Sequence, residues 1–186
     1  MALNVQKIRD ILEKKGIEIY DGLTDKEFEK IENFYSIKFP QVLRCLFKSF
    51  LPNLYNWRDF SKENVKKIKD KLNWPIEGIK YDIKYNNFWL ECFGEKTGNL
   101  EQDLAKAEEY MRNQKNEVVP KLIPIYSHRY VPCYPDSMEV PIFSIYQTDI
   151  IIYGNNIEQY FENEFVKFKN SENNDIVHVP FWSEFF

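Results

Sequence analysis

The chain has 186 residues and a formal net charge of −4, with acidic and basic side chains interspersed along it. A dedicated nucleic-acid-binding protein usually carries a basic stripe, so this charge pattern argues against that class. The length predicts one domain, residues 1–186, with enough chain to bury a sizeable core. Aromatic residues are frequent, with 15 Phe, 12 Tyr and 4 Trp, and we expect most of them to be buried.

Cysteine usage and the apolar segments bear on location. Cys45, Cys92 and Cys133 are widely spaced and form no CxxC pair, which favours reduced thiols over a disulfide framework. The first residues lead into a helical pattern and lack the apolar segment of a signal peptide. No apolar run approaches the roughly 18 residues of a membrane span. The sequence therefore predicts a cytoplasmic protein without a membrane partner.

Three helices are predicted in the N-terminal third. Residues 3–15 have an amphipathic pattern, and Gly16 is placed to end that helix. Thr24 and Glu27 have the spacing of a capping box and predict the start of a second helix. Pro40 predicts the first position of a third helix, where a missing backbone N–H costs nothing.

The middle of the chain predicts two further helices separated by irregular structure. Residues 61–72 have a narrow apolar face, and Trp74-Pro75 with Gly78 predicts a turn after them. Residues 88–90 are a predicted strand. A long helix capped by Asn99 is predicted over residues 100–116.

The segment from residue 122 to residue 165 has the strongest periodicity. It predicts two strand pairs followed by a helix with one apolar face. The Ile-rich fourth strand is apolar on both faces, as expected where both faces are covered. The predicted strands are 122–126, 129–133, 142–146 and 150–153, and the helix begins with Asn155 and Glu158 at capping-box spacing.

Prolines and turn residues refine this segment. Because Pro124 and Pro132 cannot donate a ladder hydrogen bond, their hairpin is predicted at an edge or with a bulge. Gln147-Thr148 are not preferred in tight turns, so we expect a loop longer than two residues there. Residues 169–175 are polar and predict an exposed loop, whereas the rings of residues 176–186 are expected to dock on the body.

The sequence contains no recognisable catalytic motif. A Ser/His/Asp or Cys/His site could be assembled from Ser127, His128, Cys133 and Asp149, but no nucleophile elbow accompanies them. A zinc set of His128, Cys133 and His178 lacks the HExxH or CxxC spacing. Phosphate-binding glycine motifs are missing as well. We therefore predict no catalytic, cofactor-binding or metal-binding residues, and an enzyme with an unrecognised site remains a third possibility.

Several motifs together resemble one family. They are GLTDKEFEKIENFYSIKFPQVLRCLF, LNWPIEGIKYDIKYNNFWLECFG with its Trp74-Pro75…Gly78, VPKLIPIYSHRYVPCYP, and FSIYQTDIIIYG at residues 143–154. In order and spacing they resemble the SMI1/KNR4 family, the core of the SUKH superfamily. The resemblance covers about residues 22–165 and leaves an N-terminal helix and a C-terminal extension outside the family core.

The resemblance implies a fold and a binding role. The fold is α+β, with helices packed against a mixed, mostly antiparallel sheet. Bacterial members of this family are often immunity proteins that bind and neutralise toxin domains, and fungal relatives regulate cell-wall synthesis. The family shares no catalytic residues. The leading hypothesis is therefore a non-catalytic immunity protein with a toxin domain as its partner, and the alternative is a regulatory or scaffolding protein.

The predicted partner-binding residues lie near the first late hairpin. We expect Tyr126, His128, Arg129 and Tyr130 to be exposed anchors at its tip, with Asp149 nearby. Tyr and Arg are enriched among the residues that dominate protein interfaces, which is the reason for choosing them.

Overall fold

The chain folds into helices and two antiparallel sheets in this computed structural model, which describes residues 3–113, 118–133, 138–168 and 177–186. The described helices are α1 (Val5–Lys14), α2 (Asp25–Tyr35), α3 (Gln41–Ser49), α4 (Lys62–Tyr85), α5 (Leu100–Arg112) and α6 (Ile157–Phe165). The strands are β1 (Ile19–Asp21), β2 (Phe50–Pro52), β3 (Leu122–Tyr126), β4 (Arg129–Pro132), β5 (Ile142–Tyr146) and β6 (Asp149–Gly154). Short 3-10 turns occupy Glu91–Phe93 and Trp182–Phe185.

The larger sheet is a meander in the order β3-β4-β5-β6, and β1 pairs with β2 separately. This arrangement confirms the predicted α+β class. Every strand pair among the described residues is antiparallel, so the mostly antiparallel sheet contains no parallel pair there.

Side chains from the two faces of the larger sheet enter two buried clusters. The first core contains Val131 and side chains of α1, α2, α3 and α6. The second core contains Tyr130 together with side chains of α5 and of the C-terminal segment. Helix α4 contributes to both, since Ile68 belongs to the first core and Ile79 to the second. Alternation along β4 thus links the two cores through a single strand.

Local capping signals set most helix starts. The capping box between Thr24 and Glu27 is present, which confirms the predicted start of α2. Helix α6 begins one residue later than predicted, because Asn156 rather than Asn155 is the N-cap and its Oδ1 accepts from the Gln159 N–H. Pro40 is likewise the N-cap of α3 rather than its first residue.

Helix α4 runs through the predicted turn. It extends over 24 residues with Pro75 in its interior, so the prediction of a turn at Trp74-Pro75…Gly78 is wrong. Proline has no N–H to donate to the carbonyl of Lys71, four residues earlier. The buried Tyr130 hydroxyl donates to that carbonyl instead, at 3.0 Å. A tertiary hydrogen bond therefore satisfies the carbonyl that the proline leaves without its helical partner.

The contribution of the Tyr130 hydrogen bond to stability can be measured. Tyr130→Phe leaves the Lys71 carbonyl unsatisfied, and we expect it to cost about 1–2 kcal/mol of unfolding free energy. In a Pro75→Ala background the restored N–H can donate to that carbonyl, so the same Tyr130→Phe change should cost clearly less. Urea unfolding of the four proteins tests the coupling. Tyr55→Phe is the control, because the Tyr55 hydroxyl donates to the Ser127 carbonyl and not to Lys71, so its cost should be the same in both backgrounds. Equal costs of Tyr130→Phe in both backgrounds would contradict the account.

The remaining differences lie in loops and hairpins. Residues 88–90 are irregular rather than a strand and lead into the Glu91–Phe93 turn. Strand β3 is an edge strand with a register shift between Pro124 and Tyr126, which confirms the predicted edge and bulge. The C-terminal rings dock as predicted, with Trp182 buried. The ends predicted for α5 beyond residue 113 and the polar loop at 169–175 lie outside the described residues.

Candidate functional site

The β5–β6 turn is held against the middle of α4. A Cβ on Gly78 would lie 2.9 Å from the Cα of Gln147, so only glycine permits this approach of helix and turn. Four residues on, the buried Asp82 carboxylate accepts from the Thr148 N–H at 2.9 Å and from its hydroxyl at 2.6 Å. The loop has two residues and Gln147 has a φ of 57°, so the prediction of a longer loop is wrong. The contacts with α4 hold a turn that its own residues do not favour.

The helix carries an exposed aromatic stripe beside this turn. Trp74, Gly78, Tyr81 and Tyr85 follow one another at helical spacing and share one face of α4. The three rings are exposed, and those of Tyr81 and Tyr85 are 4.7 Å apart between centroids. Because Gly78 contacts Gln147, the β5–β6 turn crosses the middle of the stripe.

The sheet presents further exposed side chains next to the turn. Strand register places Tyr126, Arg129, Ser144 and Ile151 in one row across the four strands. Tyr146 is two residues beyond Ser144 on the same face, and it pairs with Asp149. This row ends in exposed apolar side chains on both edge strands, since Tyr126 and Ile151 are both exposed.

We define the aromatic face as Trp74, Tyr81, Tyr85, Tyr126, Tyr146 and Ile151. Tyr85 and Tyr146 are the most exposed of the six, at 59% and 60% of their surface. Exposed apolar side chains that occur singly are ordinary, whereas a group of them at one location marks an interaction site. The aromatic face has two parts, the stripe on α4 and the sheet row. The row lies on the sheet face opposite to α4, so the two parts adjoin at the β5–β6 turn.

Two predicted anchors lie in the interior instead. Arg129 is 9% exposed; its Nε donates to Glu164 at 2.9 Å and its Nη1 to Ser144 Oγ at 2.8 Å. The guanidinium also lies 3.7 Å from the centre of the Tyr153 ring. Tyr130 is 0% exposed and points to the opposite face, toward α4. The expectation that these two residues are exposed is wrong, because their polar groups are already bonded within the fold.

The other three predicted residues lie at the surface. Tyr126 packs its ring 5.6 Å from Phe165 between centroids and keeps its edge exposed. His128 occupies the β3–β4 turn and is half-buried, and Asp149 is exposed at the start of β6. Of the predicted set, the sheet therefore brings Tyr126, Arg129 and Asp149 onto one face, with Arg129 beneath the surface.

His128 has the environment of a neutral imidazole. Burial lowers its pKa, and the positive charge of Arg129 lowers it further. Its Nδ1 lies 3.0 Å from the Ser127 hydroxyl, but Asp149 belongs to the other hairpin and Cys133 lies beyond the far end of β4. The Ser127, His128, Cys133 and Asp149 combination therefore does not assemble as a catalytic triad.

The described residues offer neither a metal cluster nor a membrane-spanning helix. Residues 3–113, 118–133, 138–168 and 177–186 contain no group of three or more His, Cys, Asp or Glu side chains placed to hold a metal ion. His178 lies 3.6 Å from Glu184, near the C terminus. No helix within these ranges combines the length and the apolar character needed to span a membrane.

No family model, no curated protein and no solved structure matches the chain. The resemblance to the SMI1/KNR4 family accordingly stays a prediction from the motifs.

Sequence reasoning missed five of the six residues of the aromatic face, because only Tyr126 was among the predicted anchors. The Ile-rich strand was predicted to be covered on both faces, but Ile151 is exposed, so that prediction is wrong. Trp74, Tyr81 and Tyr85 fall in the segment predicted to turn after residue 72, so their shared helical face went unrecognised. The signal was present in their spacing of seven and four residues, which aligns side chains on a continuous helix. It becomes informative only once α4 is known to continue through Pro75.

Proposed function

We propose that the chain is a non-catalytic protein-binding module and that its partner docks on the aromatic face. The partner is a toxin domain, so the chain acts as an immunity protein, as the SMI1/KNR4 resemblance implies. The observation that carries the proposal is the exposure of five aromatic rings and Ile151 around the β5–β6 turn. Tyr and Trp are the residue types that contribute most to protein interfaces, because each buries a large ring with one polar group.

The foundation of the aromatic face supports a binding role. Tyr146 and Ile151 stand on strands packed over the second core, and the turn beside them is tied to Asp82. Side chains mounted on such elements lose little conformational freedom when a partner docks. A specific interface of standard size buries about 1,200–2,000 Å² in total, and the aromatic face would supply its central anchors.

Charges of both signs lie beside the rings and favour a partner with carboxylates opposite α4 and a cation opposite Asp149. The Nζ of Lys71 lies 5.2 Å from the Trp74 ring, and that of Lys84 lies 4.8 Å from the Tyr85 ring. Asp149 is exposed next to Tyr146, on the other side of the turn. Complementary charges around an apolar centre raise association rates and fix the orientation of the complex.

A pull-down with a co-expressed partner tests the proposal. The bait is this chain, the prey is the product of the neighbouring gene, and survival of cells that express the prey reports neutralisation. Tyr81→Ala combined with Tyr146→Ala should weaken binding by about 100-fold or more, since the two variants remove one exposed ring from each part of the aromatic face. Tyr20→Ala is the matched control, because Tyr20 is a similarly exposed tyrosine in β1, outside the aromatic face.

The outcomes separate the parts of the proposal. If the wild type and the double variant bind a captured toxin equally, the aromatic face is not the binding site, but the immunity role stands. If no toxin partner is captured and cells are not protected, the immunity role fails. A captured partner that is not a toxin supports the regulatory or scaffolding alternative, provided that Tyr81 and Tyr146 are needed for it.

A further inference from the structure

A cavity with apolar walls and basic side chains is lined by residues outside the aromatic face. Its volume is about 310 Å³, and its lining comes from the ends of α2 and α5, the middle of α4, the segment leading into β3, and Trp182. Pockets that bind small ligands begin at about this volume and are lined mostly by apolar side chains. None of the residues of the aromatic face lines this cavity.

The charged residues of the lining all have the same sign. Lys69, Arg112 and Lys121 line the cavity, and no Asp or Glu does so among the described residues. Arg112 is paired with a carboxylate that does not line the cavity, because its Nε donates to Glu108 at 2.7 Å, and its Nη1 donates to the Oδ1 of Asn73 in the lining at 3.0 Å. Lys69 and Lys121 have no carboxylate partner within the described ranges.

Lys121 is the cation best placed to hold a ligand. It is half-buried, and its Nζ donates to the Ser36 carbonyl at 2.5 Å. An ammonium group has three donors, so two of them are left for a ligand. Burial lowers the pKa of Lys121, as expected for a cation withdrawn from water without a carboxylate beside it.

Tyr35 also lines the cavity. Tyr35 is 8% exposed, and its hydroxyl is buried without a hydrogen bond to any described residue. This hydroxyl has almost no accessible surface, so a molecule in the cavity does not reach it. Tyr35 and Lys121 both line the cavity, and the ammonium of Lys121 is the group that has donors left for a ligand.

We propose that this cavity binds a small organic carboxylate with an apolar body, whose carboxylate meets Lys121 and whose apolar part lies among Leu72, Ile76 and Met111. An apolar body matches the walls, and a single negative charge matches a lining with cations and no carboxylate. Two sources share this chemistry, a free alkyl carboxylate and the C-terminal carboxylate of an apolar peptide.

Titration calorimetry with paired probes tests the proposal. Decanoate and decanol differ in charge, as do Leu-Leu-Phe and its C-terminal amide. We expect at least one of the two carboxylates to bind one-to-one and at least 10-fold more tightly than its neutral counterpart. The probe that binds identifies the source of the carboxylate.

Two variants assign the binding to this cavity. Lys121→Met keeps most of the side-chain volume and should weaken carboxylate binding at least 10-fold, whereas Lys15→Met, at an exposed lysine beyond α1, should leave it unchanged. Ile76→Trp should weaken binding by filling the cavity. Thermal unfolding by circular dichroism checks that each variant is folded.

Three results would overturn the inference. They are no binding of either carboxylate at millimolar concentration, equal binding of the charged and neutral probes, or equal affinity in the wild type and Lys121→Met. If Lys121→Met were unfolded, Ile76→Trp alone would decide, and undiminished binding in that folded variant would refute the site. These outcomes are independent of the toxin pull-down, because the two sites share no residue.

Discussion

Arg129→Ala should destabilise the fold by about 3–5 kcal/mol. The substitution removes a buried guanidinium that bonds Glu164 and Ser144 and stacks on Tyr153. Glu164, with 15% of its side chain exposed, would be left as a nearly buried carboxylate without its cation. Removing one partner of a buried ion pair costs this much because the remaining charge stays desolvated. Urea or thermal unfolding measures the loss.

Companion variants show whether the ion pair is the cause. Glu164→Gln in the Arg129→Met background should recover part of the loss, since the unpaired charge is then gone. Arg9→Ala breaks the exposed pair with Glu13 and should change the stability by about 0.5 kcal/mol or less. If Arg129→Ala kept its stability and lost partner binding instead, Arg129 would be an interface anchor, as the sequence alone predicts.

Asp82→Ala should cost about 3 kcal/mol, the second large effect. The carboxylate accepts three hydrogen bonds, from the Thr148 N–H, the Thr148 hydroxyl and Asn86 Nδ2, and it is 3% exposed. Bonds to a charged acceptor contribute about 1.5–3 kcal/mol each, without simple additivity. Because this carboxylate ties the β5–β6 turn to α4, the loss should also loosen Tyr146. Unfolding curves give the energy, and hydrogen exchange of the β5 and β6 amides shows where the structure opens.

The pH dependence of that cost has a defined sign. Burial raises the pKa of Asp82, but the hydrogen bonds from Thr148 and Asn86 outweigh it and hold the pKa below its ordinary value of 3.8. The folded state therefore binds the proton less readily than the unfolded state. The stabilisation is fully present above the unfolded-state pKa and disappears as the pH falls through the folded-state pKa.

Unfolding of the wild type and of Asp82→Asn over acidic pH checks this sign. The advantage of the wild type should shrink below about pH 4 and stay constant above about pH 5. An advantage that grows on acidification would contradict the assignment. Asp10→Ala is the control, because Asp10 is exposed on α1 and, among the described residues, accepts a hydrogen bond only from Gln6.

Features decided by neighbouring residues were predictable from the sequence. The capping box of α2 needs only Thr24 and Glu27, and the four strands between residues 122 and 154 follow from their apolar pattern. The cap of α6 was misplaced by one residue because Asn155 and Asn156 are chemically equivalent candidates. Short-range rules thus predict that the helix exists and place its first residue to within one position.

Features decided by distant residues were not predictable. Proline and glycine usually interrupt a helix, but Tyr130 compensates for Pro75 and the Gln147 backbone occupies the space beside Gly78. The tight turn at Gln147 depends in the same way on Asp82, which precedes it by 65 residues in the chain. The burial of Arg129 depends on Glu164 of α6, so a charged residue predicted to be exposed became a buried ion pair. Of the candidate site, only Tyr126 was predicted. The rings on α4 were missed because the helix was expected to end, and Tyr146 and Ile151 were missed although their strands were predicted.

The prolonged α4 also makes the two cores depend on each other. One half of the helix inserts Ile68 into the first core, and the other half inserts Ile79 into the second. If one half of α4 unfolds, the other half loses the helix that supports it, so disruption of one core weakens the other. The chain therefore has no natural seam between an N-terminal helical part and a C-terminal sheet part. A fragment that ends or begins near Pro75 would expose an apolar surface. The chain should therefore not be divided within α4 for expression or for engineering.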